Sequence, residues 1–137
     1  MNYKKLILAS IAGFLSVFLF EMIWHGFLMK GMYDATSEVW RPEEDHNMPL
    51  MFLSQLLFAG SMAFVYTVFK PALKCKIGLQ YGFSIGLIMA MPALGTYCYM
   101  PIPLTISLMW MVAALLKCIL CGITIGFIFK DKKTNET

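Results

Sequence analysis

The sequence predicts an all-α fold, an integral membrane bundle of four transmembrane helices with a short amphipathic interfacial helix between helices 1 and 2, forming one domain over residues 1–137. Three observations carry this expectation. Hydrophobic residues make up 59% of the chain and charged residues 14%, whereas soluble domains hold about 45–50% and about 25%. The apolar residues gather into four runs, each near the ~20 residues that cross a bilayer as a helix. The cations fall in alternate connections, as they do in chains oriented by the positive-inside rule.

Helix 1 is expected over about residues 6–29, after Lys4-Lys5, with only Glu21 and His25 interrupting its apolar run. A basic start before an apolar stretch is also how a secretory signal begins. This run continues well past a typical h-region of about 7–15 residues and no Ala-x-Ala site follows it, so it reads as a retained helix. Residues 30–47 form an outer cap. Within it Met29, Met32, Tyr33, Thr36 and Trp40 recur at helical spacing while Asp34, Ser37, Glu38 and Arg41 fall elsewhere, the pattern of a short interfacial helix with Tyr33 and Trp40 at headgroup level. Pro42 should end it.

Asn47 is a candidate N-cap, with Pro49 in the first turn of helix 2, about residues 48–69. Lys70-Pro71 closes that helix and Lys74, Cys75 and Lys76 complete a basic loop. Helix 3 spans about residues 77–98 and contains Pro92, which frees the carbonyl of Ile88 and should kink the helix. The stiff, uncharged segment Tyr99-Met100-Pro101-Ile102-Pro103 leads to helix 4, about residues 104–129, and a polar tail.

Lys4 and Lys5, then Lys70, Lys74 and Lys76, then Lys130, Lys132 and Lys133 share one side of a four-span chain. The other side has Lys30 and Arg41 against Asp34, Glu38, Glu43, Glu44 and Asp45. Both termini are therefore expected in the cytoplasm and the cap outside, with a bacterial inner membrane as the expected location. The net charge of +3 reads as topology rather than as nucleic-acid binding. The four cysteines lie in or beside apolar segments on different sides and imply no disulfide framework.

Gly78, Gly82 and Gly86 recur every fourth residue on helix 3, and helix 4 carries Gly122 and Gly126. Small residues let helices approach closely where burial gives little drive, so these form a glycine zipper, either between helices 3 and 4 or at a homodimer face.

Glu21 and His25 are i, i+4 neighbours on one helix face. A carboxylate within a membrane span is costly unless neutralised or paired, so it marks either a proton or cation site or a structural bond to His25, Ser54 or Gln55. Lys117, near the middle of helix 4, either reaches Glu21 or snorkels toward the inner headgroups. Trp24, Tyr33, Trp40, Arg41 and His46 are further candidates on the outer face.

Cys118-Ile119-Leu120-Cys121 is formally Cys-x-x-Cys, but redox thiolates sit at helix N-termini or beside cations, and this pair lies inside an apolar helix. Met22, Met29, Met32, Met48, Met51, Met91 and Met100, with His25, His46 and Cys98, lack the repeated spacing of a soft-metal entry and read as apolar filler. The run Glu43-Glu44-Asp45-His46 reads as a solvated acidic loop. No nucleotide loop, nucleophile elbow or zinc-protease motif occurs. No catalytic residue, metal or cofactor is expected, and the chain is read as not an enzyme.

Trp24-His25-Gly26 ending the first helix, Tyr33 and Trp40-Arg41-Pro42 after it, and the Gly-spaced later helices together resemble small bacterial four-helix membrane proteins of the domain-of-unknown-function 1761 type. The resemblance covers most of the chain. It implies architecture and carries over no activity. Members more often have Trp-Tyr where this chain has Trp24-His25.

Two functions follow as expectations. One is transport or binding of an ion, proton or small ligand through the polar step on helix 1, with the lipid bilayer as environment and a homo-oligomer implied for any pore. The other is a non-catalytic accessory protein that binds a membrane partner through its cap or glycine stripe.

Overall fold

Asparagine starts two of the long helices by the same local chemistry. Asn2 Oδ1 accepts from the Lys5 backbone N–H at 3.1 Å, and Asn47 Oδ1 accepts from Leu50 N–H at 3.0 Å, each satisfying a donor left orphaned in a first helical turn. The computed structural model describes residues 2–69 and 77–130, and all regular structure in them is helical. Helix α1 (Tyr3–Ile23) runs into a single π-helical turn (Trp24–Leu28), followed by the short α2 (Lys30–Asp34) and 3₁₀ turns at Ser37–Val39 and Glu43–Asp45. Helix α3 is Met48–Phe69, and α4 is Ile77–Gly95 with a 3₁₀ turn at Thr96–Cys98. Helix α5 is Leu104–Phe129. Four segments, Tyr3–Leu28, Met48–Val68, Gly78–Cys98 and Leu104–Phe129, are long and apolar enough to cross a membrane. The basic loop with Lys70, Pro71, Lys74, Cys75 and Lys76, and tail residues Lys132 and Lys133, lie outside the described residues.

The long helices line up as α4, α5, α1, α3. Helix α4 packs chiefly on α5, while α1 packs on both α5 and α3; α3 makes only a slender contact with α5. The α4–α5 seam is backbone on backbone. A Cβ added at Gly82 would meet the Cys118 carbonyl oxygen and lie 2.7 Å from Ile119 Cα, and one at Gly126 would lie 2.9 Å from Gly78 Cα. Gly78 and Gly122 meet each other's carbonyls in the same way, and Gly86 faces the backbone of Leu115. No larger residue fits there unless the helices part. Inside α4 is Pro92. The Ser107 hydroxyl of α5 lies 2.8 Å from the Ala93 carbonyl and 3.0 Å from that of Leu94, so α5 supplies donor capacity to the last turn of α4.

Two apolar clusters form. The inner one joins all four long helices through Ala9, Val17, Ala59, Met62, Ala63, Tyr66, Tyr81, Cys118, Cys121, Ile125 and Phe129, and Tyr81 donates its hydroxyl to the Met62 carbonyl at 2.7 Å. The outer cluster has Met29, Ile102 and Ile106 at its centre, with Trp24, Met32, Tyr33, Val39, Trp40, Met100, Met109 and Trp110 against them. No residue of α3 belongs to it.

The cap departs from the single amphipathic helix expected for it. Its periodic face does point inward, with Met29 fully buried, but the helix stops at Asp34 because Thr36 leaves helical geometry (φ −129°, ψ 33°). The Thr36 hydroxyl donates to the Met32 carbonyl at 2.9 Å while accepting from Trp40 Nε1–H at 2.9 Å. That side chain thus competes for the backbone and recruits Trp40 into the fold. Tyr33 and Trp40 consequently pack in the outer cluster with Trp110 of α5.

Candidate functional site

The π turn begins three residues after Glu21 and carries the first part of the site. Met29 N–H reaches back five residues to the Trp24 carbonyl at 2.9 Å, which accommodates one extra residue and rotates the side chains that follow. Met29 thereby enters the outer cluster and α2 folds over the end of α1, bringing Tyr33 back to His25.

A chain of polar contacts results. Lys117 Nζ of α5 donates to Glu21 Oε1 of α1 at 2.7 Å. His25 Nε2 lies 3.1 Å from the other carboxylate oxygen, Oε2. His25 Nδ1 is 2.6 Å from the Tyr33 hydroxyl, which also accepts from Trp110 Nε1–H at 2.7 Å and has Met29 Sδ 3.5 Å away. The His25 and Tyr33 rings stack at 6.1 Å, and Trp40 meets Tyr33 edge-on at 5.3 Å and Trp110 at 5.9 Å. Beyond Glu21, the Lys117 ammonium lies 5.5 Å from the centre of the Phe58 ring on α3.

Donor and acceptor logic orders the protons. A carboxylate only accepts, so His25 Nε2 carries a hydrogen toward Glu21. In the neutral ring Nδ1 then accepts, and Tyr33 donates to it. In the imidazolium Nδ1 donates to the Tyr33 oxygen, and the Tyr33 proton turns to Met29 Sδ. Either charge state of His25 thus leaves every ring nitrogen and the phenol with a partner. Burial raises the Tyr33 phenol above its ordinary pKa of 10.0; Glu21's negative charge adds to this, while the Trp110 N–H opposes it.

The step is close to one end of the bundle. Gly13 packs toward Ala59, and Phe18 meets Phe52 at 5.4 Å between ring centres. That antiparallel register brings Glu21 level with Leu50 and Met51, about one turn inside α3. Glu21, Lys117 and His25 keep 17%, 26% and 29% of their side-chain surface accessible.

Of the residues singled out in the sequence, Glu21, His25, Lys117 and Tyr33 converge. Trp40 supports Tyr33, whereas Trp24 stacks on Phe20 at 5.4 Å and its buried Nε1–H has no acceptor. Arg41 and His46 stand apart on the exposed loop, joined by a 3.1 Å contact from His46 Nε2 to the Arg41 carbonyl. The alternatives for Glu21 on α3 are not taken up: Ser54 donates to the Met51 carbonyl at 2.8 Å, and Gln55 Oε1 is buried without a partner. Cys118 and Cys121 are wholly buried in the inner cluster. The methionines scatter, with Met29 buried and Met22, Met48 and Met91 exposed. Among the described residues, no group of three or more His, Cys, Asp or Glu side chains is placed to hold a metal.

Trp110 and Phe58 were not legible as site residues. Each is an aromatic in an apolar helix, and only the register between distant segments gives it a polar neighbour. No family model, curated protein or solved structure matches this chain.

Proposed function

We propose that this is a non-catalytic integral membrane protein that takes up a proton or a small ligand at the Glu21–His25–Lys117 step, entering from the side on which the cap lies. The observation that carries this reading is the unbroken series Tyr33, His25, Glu21, Lys117, with contacts of 2.6, 3.1 and 2.7 Å. A histidine bonded at both ring nitrogens can pass a proton by exchanging tautomers. Beyond Lys117 the path meets the inner apolar cluster, which supports binding over conduction.

Infrared difference spectra of the reconstituted protein across a pH step test the reading. A carboxylic-acid band absent in Glu21→Gln and shifted in Tyr33→Phe is expected. Its absence over the range in which the protein stays folded would overturn the proposal, and proton flux into protein-bearing vesicles would replace binding with conduction.

The alternation of cations in the sequence supports a bacterial inner-membrane location with both termini in the cytoplasm and the cap outside. In a Cys98→Ser background, an impermeant maleimide added outside is expected to label Asp45→Cys and to miss Cys75. The reverse pattern would invert the orientation.

A second reading, an accessory protein docking a membrane partner or another copy of itself, draws on an open groove of about 580 Å³ between α1 and α3. Ser10, Gly60 and Ser61 line it together with larger apolar residues, and such small residues permit close helix approach. Gly60→Leu would abolish co-purification of a partner under this reading and leave the infrared band unchanged.

A further inference from the structure

A proton taken up at Glu21 strands Lys117. Glu21 accepts from the Lys117 ammonium at one oxygen, 2.7 Å away, and faces His25 Nε2 at the other, 3.1 Å away. With His25 neutral, the charges of Glu21 and Lys117 cancel. Protonation removes the anion and leaves a lone ammonium on a side chain that keeps 26% of its surface accessible, within a helix apolar enough to cross a membrane. An isolated cation there is costly unless a second group receives it.

The surroundings of Lys117 narrow what that group can be. From α1, His25 directs Nε2 at Glu21, and Tyr33 of α2 lies behind it on Nδ1. On α5 itself the adjoining Cys118 is wholly buried in the inner cluster. Helix α4 has Tyr81 as its one titratable side chain, with its hydroxyl committed to the Met62 carbonyl. Helix α3 carries no Asp, Glu, His, Lys or Arg between Met48 and Phe69, and its one titratable group, Tyr66, is buried in the inner cluster. What α3 does place beside Lys117 is the ring of Phe58, its centre 5.5 Å from Nζ.

That separation lies near the far end of the ~6 Å over which an aromatic face attracts a cation. The ring is thus a weak partner while Glu21 holds the ammonium, and closer approach strengthens the attraction once Glu21 is neutral. Phe58 packs against the inner cluster, whereas Lys117 has a flexible four-carbon stem. The ammonium is therefore the partner that moves.

We propose that Phe58 is a positioning residue for proton uptake, its ring face forming the second seat of the Lys117 ammonium, occupied when Glu21 is protonated. His25 Nε2 passes its hydrogen to Glu21 Oε2 as Nδ1 takes one from the cap side. His25 stays neutral, with Nε2 accepting from the new carboxyl group. Lys117 keeps its three hydrogens, and the step goes from neutral to one positive charge. The ammonium's tie passes from α1 to α3, and the polar series ends there, since the inner cluster holds no charged side chain. This deepens the proposed function and rests on the reading that Glu21 takes up a proton.

Replacing Phe58 in the full chain by mono-, di- and trifluorophenylalanine withdraws electron density from the ring face with little change of shape. Cyclohexylalanine keeps the bulk and removes the face. Each protein is reconstituted in phosphatidylcholine vesicles, and the Glu21 carboxylic-acid band is followed by infrared difference spectroscopy against pH. Because the ring favours the protonated state, the band's midpoint is expected to fall stepwise with added fluorine. With cyclohexylalanine it should fall by about one pH unit, a tenfold change. In a Lys117→Met background the same series should leave the midpoint unmoved. Below the midpoint, the ε-methylene protons of Lys117 should move upfield by ring current in the parent and not in the cyclohexylalanine protein.

A midpoint that is constant or rises along the fluorinated series would overturn the seat and leave proton uptake standing. So would a dependence on fluorine that persists in Lys117→Met. Absence of the band from the parent would remove proton uptake and this inference with it. The fluorinated series alone decides if the cyclohexylalanine protein fails to fold.

Discussion

Lys117→Met is the most direct perturbation of the joint between α1 and α5. Glu21 is held at Oε1 by Lys117 at 2.7 Å and at Oε2 by His25 at 3.1 Å. Removing the lysine strands a carboxylate that keeps only 17% of its side-chain surface accessible. Breaking a buried pair from one side costs about 3–5 kcal/mol. The remaining bond to His25 and the residual access place this case at the lower end, about 3 kcal/mol. Glu21→Gln retains an acceptor for the ammonium, and Lys117 has a long stem with which to seek water, so about 1–2 kcal/mol is expected there. The double variant leaves no stranded charge and should cost about 1 kcal/mol, far less than the two singles together. Equilibrium unfolding in mixed micelles, followed by tryptophan fluorescence, measures all three. A Lys117→Met protein within about 0.5 kcal/mol of the parent, or strict additivity in the cycle, would refute the claim that this pair ties the helices.

The α4–α5 seam and the cap give the remaining expectations. Gly82→Ala drives a methyl group into the Cys118 carbonyl and toward Ile119 Cα at 2.7 Å; about 2–3 kcal/mol of destabilisation is expected from such overpacking. Gly26→Ala, with nothing within 4 Å of the new atom, should be neutral or slightly stabilising in the same unfolding assay. Tyr33→Phe leaves Trp110 N–H without its acceptor and His25 Nδ1 without its partner, so about 2 kcal/mol of loss and a shift in Trp110 emission are expected. Because burial raises the Tyr33 phenol above 10.0, the unfolded chain ionises first as pH rises. The contribution is complete below about pH 10 and declines between the unfolded and folded values. Tyrosinate absorbance at high pH should lose a late-titrating phenol in Tyr33→Phe.

The long helices were legible because their signal is local: apolar runs of membrane-spanning length lie between basic or proline-rich breaks. The shared face of Glu21 and His25 was equally local, following from four-residue spacing. What could not be read was register between segments. Whether Lys117 meets Glu21 depends on Gly13 nesting against Cys121 and Ile125, which sets the slide of α1 along α5. Trp110 reaches Tyr33 across 77 residues of chain, and only because a π turn redirects α2. The Thr36 break was hidden by the periodicity around it. Thr36 falls on the apolar stripe, and its hydroxyl, bonded at both its donor and acceptor sides, ends the helix that the stripe suggested.

The two apolar clusters explain why the polar step stands where it does. Inward of it, α1 is held by packing on two other long helices, α3 and α5, through Ala9, Val17 and their neighbours. Outward of it, α1 ends, and the cap and α5 make their own cluster around Met29 and Ile106. At the level of Glu21 the contact between α1 and α5 is polar, Lys117 Nζ meeting the carboxylate at 2.7 Å. Charge and hydrogen bonding do there what side-chain packing does elsewhere. A change in the charge of Glu21 would therefore act on the polar contact that joins α1 to α5. Its effect would pass outward, because His25 and Tyr33 link that joint to the cap, while the inner cluster below has no polar group in the series to receive it.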